Sequence, residues 1–171
     1  DLCCGTGCVG IAALKNLPIE MSGLLADLSE PALRVARRNL TRHGVGGRAA
    51  TSHLDALKPF SPALGKFQLI LCNPPYIPSG EIDGLDIEVR REPRMALDGG
   101  ADGLDFYRAV ARNAREVLTS GGALMFEVGL GQSGDVMDIL QAQGYADVRC
   151  ARDLSGIERV VIGCGLRAEN Q

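Results

Sequence analysis

The stretch Leu69-Ile70-Leu71-Cys72-Asn73-Pro74-Pro75-Tyr76 joins a short apolar run to residues that can do chemistry. Asn73 offers a side-chain amide, Pro74 a main-chain carbonyl and Tyr76 a flat ring. Residues 67–72 read as a buried strand, and the two prolines stop it and set its exit direction. Asn73 and Pro74 each precede a proline, so both are held extended. Carboxyl ends of strands in open α/β sheets are where ligands sit. Two carbonyl acceptors on one rigid turn can hold both hydrogens of a planar NH2 group and aim its nitrogen. An isolated Asn-Pro pair is commonly no more than a Pro-rich turn; the apolar strand directly before it makes this one specific.

A second chemical element stands at Asp1-Leu2-Cys3-Cys4-Gly5-Thr6-Gly7-Cys8-Val9-Gly10. Gly5, Gly7 and Gly10 form a literal G-x-G-x-x-G, a weak signal alone, which lets backbone N–H groups approach a ligand before a helix begins near Cys8. That helix runs through Val9, Ala12, Ala13 and Asn16-Leu17 and is stopped by Pro18. Residues 20–27 read as a strand ending in Asp27, twenty-two positions after Gly5, where nucleotide-binding sheets place a carboxylate on a ribose diol. The competing reading is that Asp27 caps the following helix, although Ser29 is the better cap, with Pro31 in the first turn. In that helix Ala32, Val35, Ala36 and Leu40 share a face, opposite Arg34, Arg37 and Arg38.

Residues 48–53 form a weak strand followed by Asp55, which is either an adenine contact or an ordinary loop aspartate. His53 reads as structural. From residue 77 to 102 periodicity is lost, and a run of that length is usually functional. Residues 80–108 carry eight carboxylates against four arginines, a net of −4, a poor match for a phosphate backbone. A helix is expected over residues 104–118, ended by Ser120-Gly121-Gly122, then a strand over 123–128, a helix around Val136, Ile139 and Leu140, and two strands over 145–150 and 158–162 joined around Ser155-Gly156. Glu127 and Arg159 read as structural, a strand-end carboxylate and a closing-strand cation that could pair.

The bulk properties narrow the class. A chain of 171 residues fits one domain with a proper core, and 46% hydrophobic with 23% charged residues is ordinary for a globular protein. Net charge −3 and an isoelectric point near 5.4 give no general affinity for nucleic acid. Aromatics at 4% leave few stacking platforms. No apolar run approaches the ~20 residues of a membrane span. Six cysteines without framework spacing read as reduced, in a cytoplasmic protein, and no histidine near Cys3, Cys4 and Cys8 completes a metal site.

Alternating β and α elements imply an α/β fold, a doubly wound, mostly parallel sheet, and two closing strands in succession resemble the antiparallel last strand of class I methyltransferases. Asn-Pro-Pro-Tyr itself resembles the active-site motif of S-adenosylmethionine-dependent methyltransferases acting on planar, amide-like nitrogens. Asp-Leu-Cys-Cys-Gly-Thr-Gly at 1–7, Ala-Asp-Leu-Ser at 26–29, Asn-Pro-Pro-Tyr-Ile-Pro at 73–78, Glu-Pro-Arg-Met-Ala-Leu at 92–97, Gly-Ala-Asp-Gly-Leu at 100–104 and Arg-Asp-Leu-Ser-Gly-Ile-Glu-Arg at 152–159 together resemble the HemK/PrmC family. That family methylates the side-chain amide of the glutamine in the Gly-Gly-Gln motif of peptide chain release factors.

The resemblance implies S-adenosylmethionine as cofactor, held by Asp1, Cys3, Gly5, Gly7, Asp27, Leu28, Asp55 and Asn73. Asn73, Pro74 and Tyr76 are the implied catalytic residues, and Asn73, Pro74, Pro75 and Tyr76 the substrate contacts. No metal is needed, because the sulfonium already carries the reactive methyl. Release factors are the implied protein partner of a monomer that contacts neither membrane nor nucleic acid. The family's N-terminal helical domain and first strand are not in this sequence, so residues 1–165 read as a catalytic domain with a truncated first strand, and 166–171 as a tail. The missing strand is expected between those ending at Asp27 and Asn73, which would leave the fragment poorly soluble. The rival functions are ribosomal-protein glutamine methylation, adenine-amino methylation of nucleic acid, a nicotinamide-dependent oxidoreductase and a non-catalytic nucleotide-binding module.

Overall fold

The computed structural model describes residues 1–166. Its backbone forms two compact units, one of residues 1–56 and 71–73, the other of 57–70 and 74 onward. The strand β3, Phe67–Cys72, gives its first four residues to the second unit and its last two to the first.

In the first unit β1 (Gly23–Asp27) runs parallel to β2 (Ala49–His53), with Gly23 opposite Ala49 and Asp27 opposite His53. Leu2 bridges in parallel to Ala26 on one side and Cys72 on the other. The ladder bonds are Ala26 N–H to Asp1 O at 2.8 Å, Cys4 N–H to Ala26 O at 3.1 Å and Leu2 N–H to Leu71 O at 2.8 Å. Asp1 and Leu2 thus occupy the place between β1 and the end of β3. Helix α1 (Cys8–Asn16) and helix α2 (Glu30–Arg42) cover this ladder. Ile11 and Leu14 of α1 and Leu33, Ala36 and Leu40 of α2 pack with Cys4, Leu25 and Val45 into one core. Each fully buried leucine there is worth about 1.5–3 kcal/mol against exposure.

The buried faces differ from those expected. Val9 and Ala12 of α1 are exposed, and in α2 Leu33 replaces Val35, which is 38% exposed. Small and β-branched residues pointed to one stripe, but the larger Leu33 takes the inner position. Ser29 caps α2, its Oγ accepting the Ala32 N–H at 3.3 Å. Arg48 closes the unit's other end, its guanidinium donating to the carbonyls of Leu14, Pro18 and Met21.

In the second unit the strand order is β3, β4 (Leu118–Glu127), β6 (Glu158–Leu166), β5 (Tyr145–Arg152). The last strand, β6, is antiparallel to both β4 and β5, as the sequence suggested. A bulge at Ala151/Arg152 opens the β5–β6 hairpin tip, where Arg152 pairs with Glu158 at 2.6 Å. Leu166 pairs with Tyr145, and the rest of the expected tail lies outside the described residues. Helix α3 (Asp105–Ala114) and helix α4 (Ser133–Ala142) supply Tyr107, Val110, Val136 and Leu140 to a core with Leu124, Phe126, Tyr145 and Val161, all fully buried. Tyr107 meets Phe126 edge-on at 5.1 Å, a geometry worth about 0.5–1.5 kcal/mol beyond area.

Three expectations are corrected here. The helix expected to run to residue 118 ends at Ala114, and β4 passes straight through Ser120-Gly121-Gly122. The place of Gly122 in the strand admits only glycine without a shift, because a Cβ there would stand 2.9 Å from the Leu118 side chain and 3.1 Å from Phe67 O. Arg159 pairs with Asp153 at 3.6 Å and not with Glu127. Residues 77–102, which lack periodicity, are nonetheless tied down: Ile77 bridges to Asp98, Ser79 N–H donates to Gly100 O at 2.8 Å, and Ser79 Oγ donates to Asp98 Oδ1 at 2.5 Å. Arg94 reaches the Asp98 carboxylate and the Ser79 carbonyl, both at 3.2 Å. Three short 3-10 turns fill the segment. Among the described residues no helix is long and apolar enough to cross a membrane.

Candidate functional site

The glycine loop of the first unit is built from its hydrogen bonds. Cys3 takes the left-handed conformation at φ 53°, as do Gly5 at 53° and Gly7 at 84°. Gly7 is the N-cap of α1; its N–H donates to Cys4 O at 2.7 Å and its carbonyl accepts the Ile11 N–H at 2.9 Å. The third glycine answers to space. A Cβ on Gly10 would stand 2.9 Å from Asp1 Oδ2, the atom that accepts the Gly10 N–H at 2.8 Å. Asp1 therefore spends one carboxylate oxygen on the first turn of α1, at the helix end where negative charge is favoured.

Asp27 ends β1 with its carboxylate facing the loop. Its Oδ2 accepts the Gly5 N–H and its Oδ1 the Ser29 N–H, each at 2.8 Å. Leu28 beside it is 45% exposed, an apolar side chain left on the surface next to a charged acceptor. Asp55 is half-buried two residues beyond β2, and His53 Nε2 lies 2.9 Å from Leu28 O. Burial pushes the Cys4 thiol up to about 12, with the Asp27 charge adding to it. Burial likewise raises the Cys72 thiol well above its ordinary range. Both stay neutral, and all six cysteines are free.

All eight residues expected at the cofactor, Asp1, Cys3, Gly5, Gly7, Asp27, Leu28, Asp55 and Asn73, belong to this one unit. The sequence reading missed Asn39, whose Nδ2 donates to Thr6 O at 2.9 Å and so fastens the loop to α2. Its signal was there: a polar residue directly before the buried Leu40, on an amphipathic helix.

Past Asn73, which is exposed, Pro74 and Pro75 are buried and Tyr76 is half-buried in the second unit. Among the described residues, no hydrogen bond takes up the Asn73 side chain or the Pro74 carbonyl, whereas the Tyr76 carbonyl accepts from Gln132 Nε2 at 3.0 Å. Gln132 was also missed, because a lone glutamine between a glycine loop and a helix carries no recognisable spacing. Among the described residues there is no cluster of metal-ligating side chains.

The methyltransferase small domain family matches residues 1–87. Release factor glutamine methyltransferases from Geobacter sulfurreducens and Caulobacter vibrioides are 42% and 43% identical over 165 and 166 residues, in each case 95% of this chain. The chain spans about half the length of these relatives, 56% of each. The resemblance drawn from the motifs is borne out by relatives of that name. Among solved structures, the S-adenosylmethionine-dependent methyltransferase SibL superposes with a TM-score of 0.65 at 15% identity, over 98% of this chain and 50% of SibL. The fold is thus the Rossmann-like α/β fold of class I methyltransferases. With its glycine loop, acidic β1 end and Asn-Pro-Pro-Tyr turn inside or beside the matched region, this chain belongs to the methyltransferase small domain family.

Proposed function

We propose that this chain is the catalytic part of an S-adenosylmethionine-dependent enzyme that methylates the side-chain amide nitrogen of glutamine in the Gly-Gly-Gln motif of peptide chain release factors. The observation that carries the reading is the pair of acceptors on consecutive residues, the Asn73 side chain and the Pro74 carbonyl, at the end of β3, which have no hydrogen-bond partner among the described residues. The substrate class follows the names of relatives at 42–43% identity. On this reading the enzyme works in the cytoplasm as a monomer on a protein partner, without direct contact to nucleic acid.

The residues of the first unit fit the cofactor. A carboxylate has about four lone-pair positions. Asp27 has committed one on each oxygen to a backbone N–H, which leaves one on each for a ribose diol. The absent side chain at Gly5, whose Cβ would face open space, keeps the loop clear where the methionine part would lie, and Gly7 lets the loop pack closely on Leu25. Leu28 offers an exposed apolar surface for the adenine, and Asp55 an acceptor for its amino group. When bound, S-adenosylmethionine supplies an electrophilic methyl on a sulfonium.

An amide nitrogen is a poor nucleophile, because its lone pair is conjugated into the carbonyl. No side chain at neutral pH is basic enough to deprotonate it outright. Asn73 Oδ1 and the Pro74 carbonyl instead accept both hydrogens of the NH2 group and aim the nitrogen. As the nitrogen gains positive charge those two oxygens stabilise it more than they stabilise the ground state. Tyr76 packs on the flat amide, and Pro75 keeps the turn from relaxing.

The test is full-length protein with labelled S-adenosylmethionine and, in parallel, a release factor carrying Gln or Glu in its Gly-Gly-Gln loop, ribosomal proteins and DNA. Methyl transfer to the Gln release factor alone is expected. Asn73→Ala should lower that rate by ~10²–10³ while affinity for S-adenosylhomocysteine stays within about twofold. Transfer to the Glu form, or full activity of Asn73→Ala, would overturn the mechanism; transfer only to DNA or ribosomal protein would overturn the substrate.

A further inference from the structure

Gln132, at the N-terminal end of α4, reaches two main chains with one side chain. Its Oε1 accepts the Gly129 N–H at 3.1 Å, and its Nε2 donates to the Tyr76 carbonyl at 3.0 Å. The N–H donor at one end fixes which way the amide points, so the NH2 group must face Tyr76. Three glycines close on the same tyrosine. A Cβ on Gly99 would stand 2.8 Å from Tyr76 Cα and one on Gly129 3.0 Å from Tyr76 Cδ2, while one on Gly103 would overlap the Tyr76 carbonyl oxygen. Beyond the tyrosine, Ile77 N–H donates to Leu97 O at 3.0 Å and Gly99 N–H to Ile77 O at 2.9 Å. Backbone bonds secure Ile77, but the carbonyl of Tyr76 itself is held by a side chain.

We propose that Gln132 is a positioning residue for methyl transfer: by holding the Tyr76 carbonyl it fixes the Pro74-Pro75-Tyr76 turn, and so the direction of the Pro74 carbonyl and the Tyr76 ring. The inference rests on the functional reading above and deepens it. A half-buried carbonyl needs a donor, and the glycine packing leaves the peptide no room to turn toward another. Between the Pro74 and Tyr76 carbonyls the φ of Pro75 is locked, and the burial of Pro74 and Pro75 limits the remaining torsions, so a shift at Tyr76 reaches the Pro74 carbonyl. Methyl transfer is steeply sensitive to such shifts, with a misplacement of about 1 Å costing ~10²-fold in rate.

Two variants of the full-length protein test this, Gln132→Glu and Gln132→Ala. Glu keeps the acceptor for Gly129 but sets an oxygen against the Tyr76 carbonyl until its carboxyl is protonated; the facing carbonyl raises the pH at which that happens, while the Gly129 N–H and the N-terminal end of α4 lower it. Gln132→Glu should lower kcat on the release factor at least tenfold at pH 8, with KM for S-adenosylmethionine within twofold. Its gap to wild type should narrow as pH falls from 8 toward the ordinary glutamate range, about 4–5. Gln132→Ala should show a similar loss with a gap that does not change with pH. Hydrogen–deuterium exchange over residues 73–79 should rise severalfold in both variants, while residues 3–10 exchange as in wild type. Wild-type kcat in either variant, unchanged exchange over 73–79, or a pH-independent gap for Gln132→Glu would overturn the proposal. Should wild type itself methylate no release factor, the functional reading falls, and the exchange measurement alone decides whether Gln132 holds the turn.

Discussion

Asp27 accepts the N–H of Gly5 at 2.8 Å, so the carboxylate at the end of β1 and the glycine loop hold each other in place. The other oxygen takes the Ser29 N–H at the start of α2. This removes the helix-cap reading of Asp27, since the cap of α2 is Ser29. One side chain therefore orders the loop and keeps lone pairs that, on the proposed function, a ribose diol would use. Asp27→Ala loses both roles and should weaken S-adenosylhomocysteine binding by roughly tenfold or more, about 1.5–3 kcal/mol. Calorimetric titration beside wild type measures it; unchanged affinity would take Asp27 out of the cofactor site.

Gly5 and Gly7 share left-handed backbone but not surroundings. A Cβ on Gly5 would meet nothing within 4 Å, whereas one on Gly7 would stand 2.8 Å from Leu25 Cδ2 and 3.3 Å from Ile11 Cδ1. Gly5→Ala should then cost only the conformational strain, about 1–2 kcal/mol. Gly7→Ala adds overpacking of the core, about 1–3 kcal/mol more. Urea unfolding of the two variants should rank them in that order. Equal losses would mean that the loop relaxes around the added methyl.

Asp102 and Arg108 form an exposed pair at 2.6 Å, and the guanidinium holds the carboxyl down to about 2. The ordinary value for an unfolded aspartate is ~3.9. A carboxyl whose pKa is lowered by folding contributes stability that is complete above the unfolded value and is lost as pH falls toward the folded one. Asp102→Asn removes the charge and can keep the Leu104 N–H bond that Asp102 Oδ1 accepts at 3.1 Å. The urea midpoint of wild type should exceed that of Asp102→Asn at pH 6, and the difference should shrink between pH 4 and pH 2. A difference that persists at pH 2 would assign it to packing and not to charge.

The elements most readable from the sequence were those whose ends carry chemistry. Pro18 after α1, Ser29 before α2, the two prolines after β3 and Ser155-Gly156 between β5 and β6 each act through local backbone restriction, which a sequence displays directly. What failed depended on distant partners. Ser120-Gly121-Gly122 resembles a helix stop, yet it lies inside β4, where the packing of Leu118 and Phe67 against Gly122 overrides local propensity. Residues 77–102 show no period because their order comes from the Ser79, Arg94 and Asp98 bonds, which join positions up to nineteen apart. Among the candidate site residues the same division holds. Asp27 and Asn73 stand at strand ends and were visible, while Asn39 and Gln132 act by reaching main-chain carbonyls far away in sequence.

Arg48 grips the last part of α1 and the turn before β1 by their main-chain oxygens, at Leu14, Pro18 and Met21. A guanidinium that reads carbonyls is indifferent to the side chains those carbonyls belong to. Ile19, 74% exposed, and the exposed Glu20 should therefore tolerate substitution, provided the backbone keeps its path. Arginine at 48 has no such freedom, since lysine, a single ammonium without the planar fork, cannot span three carbonyls in fixed directions. The turn's tolerance of substitution and the need for arginine at 48 are two sides of one contact.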